Sequence, residues 1–383
     1  MTMPAYTTPS VTPIDFIDLQ AQRKRIAPEI DAAVLEVIHS GKFIMGPQVK
    51  QLEQDLQAFS HTPYVIGCGS GTEALMMPLM ARDIGPGHAV FLPAFTFPAT
   101  AEVVALLGAS PVFVDVLPDT FNMDPASLAL AIAQVKKEGT LQPKAVIGVD
   151  LYGLPSCYEA LEALVKANDM FLMVDSAQGY GATYQGKATV NWGDVAATSF
   201  FPAKPLGCYG DGGAIFTHDE TLYHKLLSIR VHGQGAHRYD IVRLGINGRL
   251  DTIQAAVLIE KLKIYTDEIT RRQKIAARYT AGLQDVITTP SVPQDCTSVW
   301  AQYTVRTENR DALAAFLHEK GVPTMVYYPI PLPQQKAYHH YPVVEGGVPV
   351  SEKLAQTVLS LPMHPYLSAK VQDYIIGAIK AAC

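Results

Sequence analysis

What this chain has little of narrows the field first. No basic residue precedes Arg23, so a charged leader head is lacking and no secretory signal is expected. Long unbroken apolar runs are missing too. The most apolar stretch, Ala89 to Val114, is interrupted by Pro93, Pro98, Glu102 and Pro111, which excludes a single membrane-spanning helix. Runs of basic charge are also absent. Lys and Arg number 30 against 36 Asp and Glu, and the formal charge of −6 argues against nucleic acid as the main partner. Cysteine is scarce: Cys68, Cys157, Cys208, Cys296 and Cys383 are scattered and form no Cys-x-x-Cys pair. Neither a disulfide framework nor a metal site is expected, and a reducing cytoplasmic compartment fits. A Gly-x-Gly-x-x-Gly turn after a first strand, with an acid about 20 residues on, is not found, which argues against a Rossmann dehydrogenase.

What is present describes a globular α/β protein. The 383 residues are 48% hydrophobic and 17% charged, enough for a large domain with a sizeable core and a smaller one. Met1 to Thr12 is uncharged and rich in Thr and Pro, and reads as a loose arm. Ile26, Ile30, Val34, Val37 and Ile38 recur at helical spacing up to Gly41, and Pro47 opens a second helix with Val49, Leu52, Leu56 and Phe59 on one face. Strands are predicted at Tyr64–Cys68, Ala89–Pro93, Pro111–Asp115, Ala145–Val149, Phe171–Asp175, Val195–Phe201 and Ala214–Thr217, with helices between several of them. This alternation predicts a mostly parallel sheet covered on both faces. Ile229 to Tyr239 reads as an exposed loop. The stretch Leu244 to Ala256 reads as a loop feeding an apolar helix that runs to about Ile264, and Ile264 to about Leu283 as a long charged helix linking two domains. The remainder, with a strand at Ala301–Arg306 and helices near 311–320, 351–359 and 370–381, reads as a smaller α+β domain. The division is thus an arm at 1–13, a large domain at 14–265 and a small one at 266–383.

Ligands in such sheets gather at the carboxyl ends of the strands, and several side chains fall there. Lys204 lies in Ser199-Phe200-Phe201-Pro202-Ala203-Lys204-Pro205-Leu206-Gly207-Cys208-Tyr209-Gly210-Asp211-Gly212-Gly213-Ala214. A lysine packed among aromatic residues loses hydration, its pKa falls, and its neutral amine can attack a carbonyl; the plain alternative is a surface lysine whose stem lies on rings. Gly69-Ser70-Gly71-Thr72-Glu73 joins a strand to a helix whose first N–H groups lack intrahelical acceptors and suit a phosphate, or is an ordinary tight turn. Phe95 and Phe97 are either core or, for one of them, a stacking face. Asp175 ends a buried strand as an acid facing a cation or as a turn former. Ser199, Gln178, the Arg249 fork, and Tyr327 and Tyr328 beside Pro329 each have a similar structural alternative.

The Ser199–Ala214 run resembles the lysine motif of the pyridoxal-phosphate (PLP) sugar aminotransferases of the DegT/StrS family. It is most similar to members that aminate C3 of UDP-3-keto-N-acetylglucosaminuronic acid. Val174-Asp175-Ser176-Ala177-Gln178 is similar to the family's acid motif, and the likeness runs from about Ile14 to the C-terminus. The resemblance implies fold type I of the PLP-dependent transferases (aspartate aminotransferase-like), in a homodimer. It implies that Lys204 and Asp175 are catalytic, Lys204 carrying the cofactor and Asp175 keeping its ring nitrogen protonated. The backbone of Thr72 and Glu73 and the Ser199 hydroxyl would hold the phosphate. Phe97 would stack on the ring, and Gln178 would lie near its phenolic oxygen. Asn247 would reach the neighbouring subunit's phosphate and Arg249 its substrate. Tyr327 and Tyr328, like the turn at Phe43–Pro47, would meet the nucleotide sugar. Tyr327 stands where many relatives carry His. The implied reaction moves the amino group of L-glutamate to the 3-keto carbon of the UDP-linked uronic acid, for 2,3-diamino sugars of surface polysaccharide such as lipopolysaccharide O-antigen. Alternatives are another 3- or 4-keto nucleotide sugar, dTDP- or UDP-linked and neutral, or a PLP-binding regulatory protein without turnover. A dehydratase is disfavoured, because relatives of that kind lack the lysine.

Overall fold

The computed structural model describes residues 13–383, so the expected arm lies almost wholly outside the described residues. Helices run in the order α1 (Leu19–Arg25), α2 (Ala27–Ser40), α3 (Pro47–Ser60), α4 (Gly71–Ala81), α5 (Ala99–Leu106), α6 (Pro125–Glu138), α7 (Tyr158–Ala167), α8 (Glu220–Ile229), α9 (Thr252–Leu283), α10 (Arg310–Glu319), α11 (Pro349–Thr357) and α12 (Ala369–Ala382). Strands are β1 (Tyr64–Cys68), β2 (His88–Pro93), β3 (Ser110–Val114), β4 (Gln142–Val149), β5 (Phe171–Asp175), β6 (Thr183–Tyr184), β7 (Lys187–Ala188), β8 (Val195–Ser199), β9 (Gly213–Thr217), β10 (Cys296–Thr297), β11 (Tyr303–Arg306) and β12 (Val358–Leu361). None of the described helices is long and apolar enough to cross a membrane.

The local signals act as their chemistry requires. Proline opens α3, and Gly41 adopts φ 66° to cap the carbonyls of Val37 and Ile38 at the end of α2. Seven strands form the central sheet in the order β1-β9-β8-β5-β4-β2-β3. The pairs β2–β3, β2–β4, β4–β5 and β5–β8 are parallel, while β9 runs antiparallel to both β8 and β1. β9 is reversed because the loop before it contains no crossover helix, and without one the chain returns antiparallel. Val146, Met173, Val174, Ala196 and Ile215 are fully buried in the middle of this sheet. A second apolar cluster lies toward the C-terminus around Tyr279, Tyr303, Leu317, Leu361 and Ile375.

Three expectations differ. α9 is one unbroken helix of 32 residues, not a short helix followed by a linker. Lys261, Glu268 and Arg272, whose charge reads as a solvated face, are buried. Val358–Leu361 is a strand, paired antiparallel with β11, where a helix was expected to continue to 359. Arg230 is buried rather than part of an exposed loop. Its guanidinium bonds Glu53 at 2.7 Å and the Gly67 carbonyl at 2.9 Å.

Candidate active site

The carboxyl ends of the parallel strands open on a cavity of about 420 Å³. Lys204, Asp175, Thr72, Phe97, Gln178, Ser199, Tyr327 and Tyr328 all line it, whereas Glu73, Asn247 and Arg249 do not.

Lys204 is carried on the loop between β8 and β9. The Lys204 amide donates to the Phe201 carbonyl and the Cys208 amide to the Phe200 carbonyl, each at 2.8 Å. Phe200 is fully buried, while Phe201 is 51% exposed. A Cβ on Gly207 would lie 2.5 Å from the Pro202 carbonyl oxygen and 2.6 Å from that of Phe201, so only glycine closes this loop. From below, the buried Lys261 of α9 donates to the Gly207 carbonyl at 2.6 Å and lies 4.2 Å over the Tyr209 ring. Burial pushes the pKa of Lys204 down, and Asp175 partly opposes that.

Asp175, at the end of β5, accepts the Thr100 hydroxyl at 2.9 Å and the Ala177 amide at 3.2 Å. Its pKa is raised, not lowered, because burial outweighs the Thr100 bond, the Ala177 bond and the attraction of Lys204. The expectation that a facing cation favours the ionised acid holds for the sign of the Lys204 effect and fails for the sum.

At the start of α4, Ser70 caps the helix by accepting the Glu73 amide at 3.1 Å, and Glu73 Oε2 accepts the Gly69 amide at 2.8 Å. The Glu73 amide, expected as a phosphate donor, is therefore already engaged. The Gly71 and Thr72 amides have no acceptor among the described residues. A Cβ on Gly71 would sit 2.6 Å from Ser199 Cβ and 3.0 Å from Ser199 Oγ. Free amides and the Ser199 hydroxyl thus converge. Ser199 Oγ also accepts the Phe201 amide at 3.3 Å, which leaves its proton to donate.

Gln178 is held at both ends: its Oε1 accepts the Tyr152 amide at 2.6 Å and its Nε2 donates to the Tyr328 hydroxyl at 3.2 Å. The Tyr152 hydroxyl donates to the Tyr327 carbonyl. Phe95 is core, whereas Phe97 is 54% exposed on the cavity wall, its ring 6.2 Å from that of Tyr328. Asn247 and Arg249 lie on the loop before α9, with Arg249 Nε donating to Asn247 Oδ1 at 2.9 Å. Thr100, Tyr152, Gln302 and Asp211 were missed from the sequence. Thr100 sits in an apolar helix and Tyr152 in an apolar run, with no pattern to mark either.

The profile of the DegT/DnrJ/EryC1/StrS aminotransferase family matches residues 24–380. The chain belongs to that family. A Pseudomonas aeruginosa relative described as UDP-2-acetamido-2-deoxy-3-oxo-D-glucuronate aminotransferase is 47% identical, over 96% of this chain and 99% of its own. An Acidithiobacillus ferrooxidans UDP-N-acetyl-3-dehydro-alpha-D-glucosamine 3-aminotransferase is 39% identical, over 93% and 94%. Among solved structures, a DegT DnrJ EryC1 StrS aminotransferase from Brucella abortus is 53% identical with a TM-score of 0.95, over 96% and 99% of the two chains. S. venezuelae DesV in complex with a ketimine intermediate is 36% identical with a TM-score of 0.92, over 97% and 99%. The architecture of this aminotransferase is accordingly fold type I of the PLP-dependent transferases, α/β with a mostly parallel sheet.

Proposed function

We propose that this chain is a PLP-dependent nucleotide-sugar aminotransferase that moves the amino group of L-glutamate to the 3-keto carbon of a UDP-linked N-acetylglucosaminuronic acid. The observation that carries the reaction class is the meeting of Lys204 and Asp175 in one cavity with the unengaged amides of α4. The uronate rests on the 47% identity to the P. aeruginosa enzyme.

The residues fit the cofactor. The Gly71 and Thr72 amides and the Ser199 hydroxyl supply donors for its phosphate at a helix N-terminus. Asp175 supplies the carboxylate for its ring nitrogen, Phe97 a ring face, and Gln178 an amide fixed by Tyr152 and Tyr328. When bound, the cofactor supplies an electron sink for negative charge on the donor's α-carbon. Burial destabilises the Lys204 ammonium, so its amine gives up a proton more readily than that of a free lysine. Its Nζ would take the proton that leaves the donor's α-carbon and deliver it to the cofactor carbon that receives the amino group, and in the second half-reaction would carry a proton from that carbon to C3 of the sugar. Asp175 keeps a proton on the ring-nitrogen side of the site, oriented by Thr100.

Asn247 and Arg249 are assigned to the neighbouring subunit's site in a homodimer, Asn247 to its phosphate and Arg249 to the sugar carboxylate. Among the described residues Arg249 uses its Nε on Asn247, which leaves its paired terminal nitrogens for a carboxylate. The homodimer is supported by exposed apolar side chains at Phe43, Ile44, Met45, Tyr239 and Leu244. Tyr327 and Tyr328 are assigned to the nucleotide sugar. Unpaired thiols at all five cysteines agree with a cytoplasmic enzyme. The product would enter surface polysaccharide such as lipopolysaccharide O-antigen. The similarity to the A. ferrooxidans enzyme favours a neutral UDP-linked 3-keto sugar as the second reading.

Visible absorbance of the PLP-loaded protein separates these readings. L-glutamate should bleach the band of the lysine-bound cofactor, and UDP-3-keto-N-acetylglucosaminuronate should restore it. Recovery with the neutral sugar and not with the uronate selects the second reading. No bleaching by glutamate would remove it as the donor.

A further inference from the structure

Behind Lys204, away from the main cavity, lies a second and much smaller one of about 10 Å³. Lys204 lines both. Three parts of the chain enclose the small cavity: the N-terminal segment with Asp18 and Gln22, α9 with Arg272, and the turn after β12 with His364 and Tyr366.

Most polar groups here are satisfied. Asp18 accepts the Ala21 amide at 2.8 Å. Gln22 donates to both oxygens of the buried Glu268, at 3.1 and 2.9 Å, and the Tyr366 hydroxyl donates to the same carboxylate. Arg272 places Nη1 on the Trp300 carbonyl at 3.1 Å. Two atoms remain: Arg272 Nε and His364 Nδ1 have no partner among the described residues. Both side chains are nine-tenths or more buried, Arg272 at 5% exposure and His364 at 4%. Leaving such groups unpaired costs about 1–3 kcal/mol each.

Their chemistry is complementary. Arg272 Nε–H can only donate. The backbone of Asp15 faces the His364 ring and favours its protonated form, against the larger effect of burial. In the neutral ring with its proton on Nε2, Nδ1 is an acceptor. A single water satisfies both, accepting from Arg272 and donating to His364. A polar cavity of roughly 10–15 Å³ by this measure is the size that holds one.

We propose that this cavity holds one ordered water, bridging Arg272 Nε and His364 Nδ1 against Lys204, and that His364 is thereby a positioning residue for the lysine. The water lends the lysine a polar neighbour on the side away from the substrate cavity. The acidic and basic groups facing this place are Asp18 from the N-terminal segment, Arg272 from α9 with Glu268 beside it, and Tyr366 from the turn after β12, while Asp175 of β5 acts on Lys204 from the main cavity.

Two variants and two readouts test it. His364→Asn keeps an acceptor near the Nδ1 position; His364→Phe removes it. Crystals of the full chain without cofactor should show a water within about 3.2 Å of both atoms in the wild type and in H364N, and none in H364F. The pH midpoint of the visible band of the PLP-loaded protein should move by about half a pH unit or more in H364F and return in H364N. An empty cavity in the wild-type crystal, or an unmoved midpoint in a folded H364F, overturns the proposal. Should H364F fail to fold, the wild-type and H364N crystals decide alone. The absorbance readout rests on the proposed cofactor and the crystallographic one does not, so failure of either reading is recognisable.

Discussion

Thr100 gives its hydroxyl to Asp175 from the first turn of α5, and that bond is one of the forces holding the acid's pKa below what burial alone imposes. Thr100→Val should raise the Asp175 pKa further and move the acid limb of kcat/KM to higher pH, whereas Thr100→Ser should leave it in place. A pH–rate profile of the two variants checks this. His364 gives a second pH prediction. Burial lowers its pKa from 6.5 to about 4, so the folded protein binds fewer protons there than the unfolded chain. Stability conferred by the neutral ring is whole above about pH 6.5 and is lost as pH falls toward 4, by up to about 3 kcal/mol. Urea unfolding at pH 7 and pH 4.5 should show a smaller loss in His364→Asn. At this scale the sequence was legible where chemistry and pattern coincide. Lys204 among aromatics and glycines, and Asp175 at the end of an apolar run, are both visible. Thr100 and His364 were not, because a partner remote in the sequence gives each its role.

The turn from β1 into α4 depends on close approach between elements. Gly71→Ala would place a methyl 2.6 Å from Ser199 Cβ and force α4 away from the end of β8. Cofactor affinity should drop by about tenfold or more, as expected when backbone donors are displaced by more than 1.4 kcal/mol of binding. Titration of the cofactor-free protein with PLP measures this. Beneath the turn, Arg230 joins α3 to β1 through Glu53 and Gly67. Arg230→Met strands the Glu53 carboxylate in the interior and should cost about 3–5 kcal/mol, and adding Glu53→Gln should recover part of it. A double-mutant cycle in urea is the measurement. The central strands were readable because Gly, Pro and charged residues punctuate apolar runs. β12 was not, because Val358-Leu359-Ser360-Leu361 follows α11 without a break signal and only its pairing with β11 makes it a strand. α9 was divided wrongly because its buried Lys261, Glu268 and Arg272 read as a solvated face.

For the whole molecule, the proposed homodimer with shared sites predicts complementation. Lys204→Ala and Arg249→Ala chains should each be inactive alone. Co-expressed, they should recover about a quarter of the sites, since half the dimers are mixed and each mixed dimer has one intact site. No recovery would place Arg249 in its own chain's site, and an active Arg249→Ala chain would place it outside catalysis. We also propose that the chain divides at 265/266. Tyr265 packs in the larger core and Ile275 in the smaller, so the division falls inside α9 rather than in a linker. At 1.5 Å per residue the 32-residue helix is a rod of about 48 Å. Lys261 on it grips the loop that carries Lys204, Arg272 faces the cavity behind Lys204, and Tyr279 is set in the far core. An unbroken rod has no pivot of its own. Rocking of the C-terminal core therefore swings the whole shaft, and the lysine loop is where the near end of that lever bears.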